Sequence, residues 1–171
     1  ADSIMAVYPY TPLNSITEAI ISIASVPCFI GVGGGTTQGA RSRAIAYYAE
    51  LAGAYGVVVN GPIPHEDISV ISKFVDIPVI ATVTSLKDNY KAKIEAGAKI
   101  LNVSGGKYTA DLLSHIRADI GDDFPIIATG GKTGESIMNT IEAGANAISY
   151  TPPSSSDVFG AMMDEYRNED V

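Results

Sequence analysis

Three stretches decide the fold: Ala52-Gly53-Ala54-Tyr55-Gly56-Val57-Val58-Val59-Asn60, Ala96-Gly97-Ala98-Lys99-Ile100-Leu101-Asn102-Val103-Ser104 and Ala143-Gly144-Ala145-Asn146-Ala147-Ile148-Ser149-Tyr150-Thr151. In each, Ala-Gly-Ala leads into a short apolar run that ends on polar residues. A glycine just past a helix end takes the left-handed conformation that caps the helix. A run that is apolar at nearly every position reads as a strand covered on both faces. Three further runs start on a proline instead: Val26-Pro27-Cys28-Phe29-Ile30, Ile77-Pro78-Val79-Ile80-Ala81-Thr82 and Phe124-Pro125-Ile126-Ile127-Ala128-Thr129. Proline fixes the backbone angle where no ladder donor is needed. The two kinds of start alternate strictly. The central glycines lie 44 and 47 residues apart and the prolines 51 and 47 apart, so the repeating unit is a βαβα pair of about 47 residues.

Around these anchors the pattern predicts strands at Ser3–Tyr8, Cys28–Val32, Gly56–Asn60, Val79–Val83, Lys99–Val103, Ile126–Thr129 and Ala147–Tyr150. Helical segments follow each, at Ser15–Ala24, Thr37–Ala52, His65–Val75, Leu86–Ala96, Ala110–Ile120, Gly134–Ala143 and Asp157–Arg167. The residues Asn168–Val171 read as a frayed acidic tail. No linker interrupts the alternation, so a single domain over 1–171 is expected. Four βαβα pairs make a (βα)8 TIM barrel, and 171 residues is short of the ~200 such barrels usually need. The segment Ala1-Asp2-Ser3-Ile4-Met5-Ala6-Val7-Tyr8 aligns with the stretches that begin on the last alanine of Ala-Gly-Ala. The repeat therefore predicts that the chain carries strands two to eight, with a further βα unit expected before Ala1. The alternative is an open sheet of seven strands.

Composition narrows the function classes. A net charge of −8 argues against nucleic acid as partner. No run approaches the 18 apolar residues of a membrane span, and the sequence carries no basic-then-apolar leader. The lone Cys28 cannot form an internal disulfide, which fits a reducing, cytoplasmic setting; it reads as a small buried hydrophobe. Charged residues make up 18%, below the usual ~25%, which permits a homo-oligomer.

In a parallel barrel the chemistry sits where strands hand over to helices. Those loops contain Tyr8-Pro9-Tyr10-Thr11, Gly33-Gly34-Gly35-Thr36-Thr37, Asn60-Gly61-Pro62, Thr82-Val83-Thr84-Ser85, Ser104-Gly105-Gly106-Lys107-Tyr108, Thr129-Gly130-Gly131-Lys132-Thr133 and Thr151-Pro152-Pro153-Ser154. Three share a glycine pair ahead of a helix, so that backbone N–H groups and the helix dipole could meet an anion. A tight turn that merely needs positive φ explains the same glycines. The loop at Gly130–Gly131 has the stronger case, because barrel phosphate sites are often built after strands seven and eight. Gly34, Gly35, Asn60, Gly105 and Gly106 are further ligand-binding candidates. No strand end carries Asp or Glu, so no metal site is expected. His115 reads as outer-face structure; His65 starts a helix at the active-site end. Lys107 and Lys132 each follow a glycine pair and suit phosphate as point charges, while a Schiff base on either needs a lowered pKa. Arg41 lies close enough to the triple glycine to reach an anion, though a solvated helix face explains it too. Asn60, Thr82, Thr84, Asn102, Ser104 and Thr129 form a polar, uncharged ring suited to hydroxyls, carbonyls or an amide. Tyr8, Tyr10, Tyr108 and Tyr150 are placed to line the mouth.

The closing half, Ile126-Ile127-Ala128-Thr129-Gly130-Gly131-Lys132-Thr133-Gly134-Glu135 with Ile141-Glu142-Ala143-Gly144-Ala145-Asn146-Ala147-Ile148, resembles the phosphate-binding TIM-barrel superfamily, the ribulose-phosphate-binding and ketodeoxyphosphogluconate-aldolase-like barrels. The resemblance implies that Gly130 and Gly131 hold a phosphate through their backbone. The second half of such a phosphate cup departs from the family pattern: Tyr150-Thr151-Pro152-Pro153-Ser154 lacks its glycine, leaving Thr151 and Ser154 hydroxyls. Asn102 stands where the aldolases carry lysine, and the decarboxylase Asp-x-Lys-x-x-Asp array is missing. The expectation is a metal-independent lyase or isomerase acting on a small phosphorylated sugar or keto-acid without a cofactor. Gly130, Gly131, Lys132 and Thr151 would hold the phosphate, and Lys107, Asn102 and Thr82 would face the reacting end. The alternatives are a non-catalytic regulatory barrel and an FMN-binding oxidoreductase.

Overall fold

The apolar runs become seven parallel strands in a computed structural model that describes residues 1–7, 13–151 and 153–169. The strands are β1 (Ile4–Ala6), β2 (Cys28–Gly33), β3 (Gly56–Val59), β4 (Val79–Val83), β5 (Ile100–Val103), β6 (Ile126–Thr129) and β7 (Ala147–Ser149). They pair in sequence order, each parallel to the next, and β1 is not paired with β7. After each strand comes a helix: α1 (Asn14–Ile23), α2 (Ala40–Leu51), α3 (His65–Phe74), α4 (Tyr90–Glu95), α5 (Thr109–Ile120), α6 (Gly134–Glu142) and α7 (Ser155–Glu169). The result is a nearly closed (βα)8 barrel with seven of its strands, as the repeat predicts.

Two-residue alternation sorts each strand into an outer and an inner face. Ile30 and Val32, Val57 and Val59, Val79, Ala81 and Val83, Leu101 and Val103, and Ile126 and Ala128 point outward. There they form one buried cluster with the helix residues Ile45, Ile68, Ile71, Leu113 and Ile116. Fully burying such a side chain stabilises by about 1.5–3 kcal/mol, so this layer holds the fold together. Cys28 belongs to it at 3% exposure, and burial pushes its thiol pKa up, consistent with a structural role. The intervening residues, among them Val58, Ile80, Thr82, Asn102 and Thr129, point into the barrel.

Polar groups on three helices, half-buried or buried, tie down the ends of the barrel where strands begin. Glu50 of α2 accepts from the backbone of Asp76 at 2.6 Å and Ile77 at 3.1 Å, ahead of β4. Ser72 of α3 donates to the Ala96 carbonyl ahead of β5. Arg117 of α5, 8% exposed, donates to the carbonyls of Gly121, Phe124 and Gly144 and to Asn146 Oδ1, at 2.6–3.0 Å. A guanidinium without a carboxylate partner is thereby satisfied by four oxygens around the starts of β6 and β7.

Several boundaries differ from the predicted ones. The second helix starts at Ala40 rather than Thr37, because Gly39 takes φ +63° and the Thr37 carbonyl accepts from Gly34 and from Ser42 Oγ. The fourth starts at Tyr90 rather than Leu86. Asn89 caps it by accepting from the Ala92 N–H at 3.0 Å, while Asp88 folds back onto Thr84. The first strand covers only Ile4–Ala6, and Tyr8 lies outside the described residues. The last helix reaches Glu169, so Asn168 is helical rather than frayed, and 170–171 lie outside the described residues. No helix among the described residues is long and apolar enough to cross a membrane.

Candidate functional site

The inward residues nearest the C-terminal ends of β4 to β7 are hydroxyls and one amide. Thr82 on β4 and Asn102 on β5 are register partners, each 7% exposed, and Asn102 Nδ2 donates to Thr82 Oγ1 at 3.2 Å. Thr129 at the end of β6 donates to Ser104 Oγ at 3.2 Å and lies 3.5 Å from Ser149 Oγ on β7. Of the predicted ring of Asn60, Thr82, Thr84, Asn102, Ser104 and Thr129, two pairs are hydrogen-bonded: Asn102 with Thr82, and Thr129 with Ser104, beside which Ser149 stands. Asn60 sits half-buried just past β3, its backbone N–H donating to Gly33 at 2.8 Å. Thr84 stands outside the ring, exposed and bonded to Asp88.

The glycine loops separate into those committed to the fold and those facing outward. A Cβ on Gly34 would meet the Asn60 backbone at 2.7 Å, so this glycine serves close approach of two loops; Gly35 is exposed beside it. Gly105 donates its N–H to Thr109 Oγ1 at 3.1 Å, and the Thr109 hydroxyl donates to the Gly106 carbonyl at 2.8 Å. That exchange closes a 3-10 turn over Gly106–Tyr108, absent from the predicted elements. Gly130 donates to the Ser149 carbonyl at 3.0 Å, and a Cβ there would meet Ile148 at 2.6 Å. Its N–H is spent on the sheet, so the carry-over of Gly130 as a phosphate donor is corrected to a packing role. Gly131 adopts φ +78° with its neighbour Lys132 exposed, and among the described residues neither backbone N–H has a protein partner. These two groups lie directly ahead of α6, whose N-cap Thr133 forms a reciprocal capping box with Ser136.

The cationic candidates sit on the rim. Lys107 is exposed and stacks over the Tyr108 ring, its Nζ 4.9 Å from the centroid. Arg41 is exposed and His65 half-buried at the start of α3. Asp67, on that same turn, accepts from the Gly39 N–H at 2.7 Å and so caps α2. Thr151, Tyr108 and Tyr150 are exposed, and Ser154 bonds Asp157 at 2.6 Å to cap α7. Its hydroxyl and N–H hold the Asp157 carboxyl below the usual carboxylate range. Tyr10, like Tyr8 and Pro152, lies outside the described residues. No group of three or more His, Cys, Asp or Glu among the described residues is placed to hold a metal ion. A cavity of about 300 Å³ lies at the opposite end, lined by Ile21, Ala24, Pro27, Cys28, Gly53 and Tyr55.

One residue at this end went unread in the sequence. Lys93 of α4 is only 2% exposed, and its ammonium donates to the carbonyls of Thr82 at 2.7 Å and Gly61 at 2.9 Å. It bridges the ends of β3 and β4 from the helix side. Burial pushes its pKa below the ordinary lysine value, while the Asp88 carboxylate pulls the other way.

No protein-family model and no curated protein matches the chain. Solved structures do match. One is 2,3-dimethylmalate lyase, described as a member of the PEP mutase/isocitrate lyase superfamily, at TM-score 0.70 and 14% identity over 98% of this chain and 74% of that one. A second is phosphonopyruvate hydrolase, at TM-score 0.67 and 18% identity over 91% and 64%. A third is mandelate oxidase, at TM-score 0.66 and 17% identity over 85% and 54%. The chain thus spans about half the length of the mandelate oxidase it matches. At these identities the likeness is one of fold, and it places the chain among α/β barrels.

Proposed function

We propose that this is a barrel enzyme that binds a small phosphorylated molecule, a metal-independent lyase or isomerase. The observation that carries the reading is the pair of N–H groups at Gly131 and Lys132, without a protein partner among the described residues, ahead of α6 and beyond the Thr129 end of β6. An anion there gains two backbone donors, the helix dipole and the Lys132 charge. Thr129, Ser104 and Ser149 supply hydroxyls beside it, and Thr151 adds a further one from the loop after β7. Deeper in the mouth, Thr82 and Asn102 meet the rest of the molecule, and Lys107 meets it from the rim. Two of the matched structures are a lyase and a phosphonopyruvate hydrolase, which supports reading the chain as an enzyme of small molecules. The test is thermal unfolding in inorganic phosphate. Ligand at 100 times its Kd adds about 2.7 kcal/mol, a rise of several degrees in a chain of this size. A flat melting temperature refutes the phosphate site. Borohydride trapping with a keto-acid phosphate, lost in Lys107→Ala, would identify Schiff-base chemistry.

The likeness to mandelate oxidase favours a second reading, in which the same N–H pair holds the phosphate of FMN. A purified protein that is yellow, or turns yellow on incubation with FMN, supports it. A colourless protein that leaves FMN fluorescence unquenched rejects it.

A further inference from the structure

The floor of the barrel mouth holds a polar atom that the protein leaves unmatched. Asn102 is 7% exposed, its Nδ2 donates to Thr82 Oγ1, and its Oδ1 is buried without a hydrogen bond. An acceptor left in this state forfeits the hydrogen bond it had in water, and buried polar atoms are seldom left so. The register partners of Asn102 are Thr82 on β4 and Ile127 on β6, and one inward position nearer the mouth stand the hydroxyls of Ser104, Thr129 and Ser149, none of them charged. The nearest buried cation, Lys93, spends its ammonium on the Thr82 and Gly61 carbonyls from the helix side.

We infer that Asn102 determines specificity: its Oδ1 accepts a hydrogen bond from an uncharged donor, a hydroxyl or an amide N–H, at the end of the ligand remote from its phosphate. The inference rests on the phosphate reading for the other end of that ligand. A carboxylate in the same place sets a second acceptor against Oδ1 and finds, among the described residues, no inward cation at that depth to balance its charge, since Lys107 stands on the exposed rim. A hydroxyl donates to Oδ1 and accepts from the surrounding threonine and serine hydroxyls.

Isothermal titration with inorganic phosphate, glycerol 3-phosphate and phosphoglycolate tests this on the wild-type chain and on Asn102→Leu. Glycerol 3-phosphate is expected to bind at least tenfold tighter than inorganic phosphate, and phosphoglycolate no tighter than inorganic phosphate. Asn102→Leu should erase the tenfold advantage and leave inorganic phosphate unchanged. Should that variant fail to fold, Asn102→Asp retains an acceptor. It keeps the glycerol 3-phosphate advantage and weakens phosphoglycolate at least tenfold further relative to it. Equal affinities for phosphate and glycerol 3-phosphate overturn the inference alone. So does tighter binding of phosphoglycolate, an advantage that survives in Asn102→Leu, or an Asn102→Asp variant that loses it. Absence of binding by both phosphate and glycerol 3-phosphate overturns the phosphate reading and the inference together.

Discussion

Replacing Lys93 with methionine keeps the stem that packs under α4 and removes the ammonium. The two hydrogen bonds lost, to Thr82 at 2.7 Å and Gly61 at 2.9 Å, are charge-assisted and buried. Each such bond contributes about 1.5–3 kcal/mol. Against this stands the relief of desolvating a cation, the same effect that lowers the Lys93 pKa. The balance is a destabilisation of about 2–3 kcal/mol. At about 2–4 °C per kcal/mol for a domain of this size, the melting temperature should fall by roughly 4–12 °C. The pH dependence adds a sign. Because the folded pKa is depressed, the unfolded chain holds more protons between that value and the ordinary lysine pKa, and wild-type stability rises with pH across that window. The deprotonated amine still has two N–H groups for the two carbonyls. Circular-dichroism melts of both proteins from pH 7 to pH 11 should therefore show the gap between them widening as pH rises. A gap under 1 °C at pH 7 refutes the bridging role, and a gap that narrows with pH refutes the electrostatic account.

Arg117→Met strips four acceptors of their shared donor, and denaturant unfolding should register a loss of about 3–5 kcal/mol; a loss below 1 would mean that water replaces the guanidinium. Gly34→Ala places a Cβ 2.7 Å from the Asn60 backbone at φ +100°, so a loss of about 1–3 kcal/mol is expected, with weakened binding at the mouth if Asn60 is displaced. A spectrophotometric titration should find Tyr90 among the tyrosines that ionise late, with Tyr48, bonded to Glu18, also raised. Tyr90 is pushed up to about 12, by its 2.6 Å hydrogen bond to Asp119 and then by burial. Its raised value favours the folded state below pH 10, an advantage lost as pH climbs from 10 to about 12. Tyr90→Phe should remove both its late step and that decline.

The alternating proline and Ala-Gly-Ala starts were legible because each answers a local backbone demand, and those starts carry strand order with them. Four of the six polar residues read as a ring, Thr82, Asn102, Ser104 and Thr129, were legible as strand-end groups for a similar reason. Polar residues closing apolar runs fall at strand ends, whereas Thr84 turns out to bond Asp88. Lys93 was not legible. In Tyr90-Lys91-Ala92-Lys93-Ile94-Glu95 residue type does not tell the two lysines apart, and helix rotation alone separates them. Lys91 reaches Asp119 in the open at 2.7 Å, whereas Lys93 turns under the sheet. Gly130 misled for the opposite reason. Its motif suggests an anion, but the demand it answers is the approach of Ile148 and Ile137. The roles of Asp67 and Glu50 depend on helices meeting across loops, which no single segment encodes.

The ties at the lower end of the barrel have a kinetic consequence. Glu50 of α2 holds the start of β4, Ser72 of α3 the start of β5, and Arg117 of α5 the start of β7. Every one of these links joins a helix to the second strand after it, so cooperativity passes from unit to neighbouring unit along the sequence. A structure coupled in this way can begin folding from an interior pair and grow in both directions, without waiting for distant segments to meet. Protection against amide exchange should then be highest in β3 to β5, whose strands are the most deeply enclosed, and decline toward both outer strands. Among the described side chains of α7, all but Met163 are exposed, and α7 would be the first element to open and the last to form.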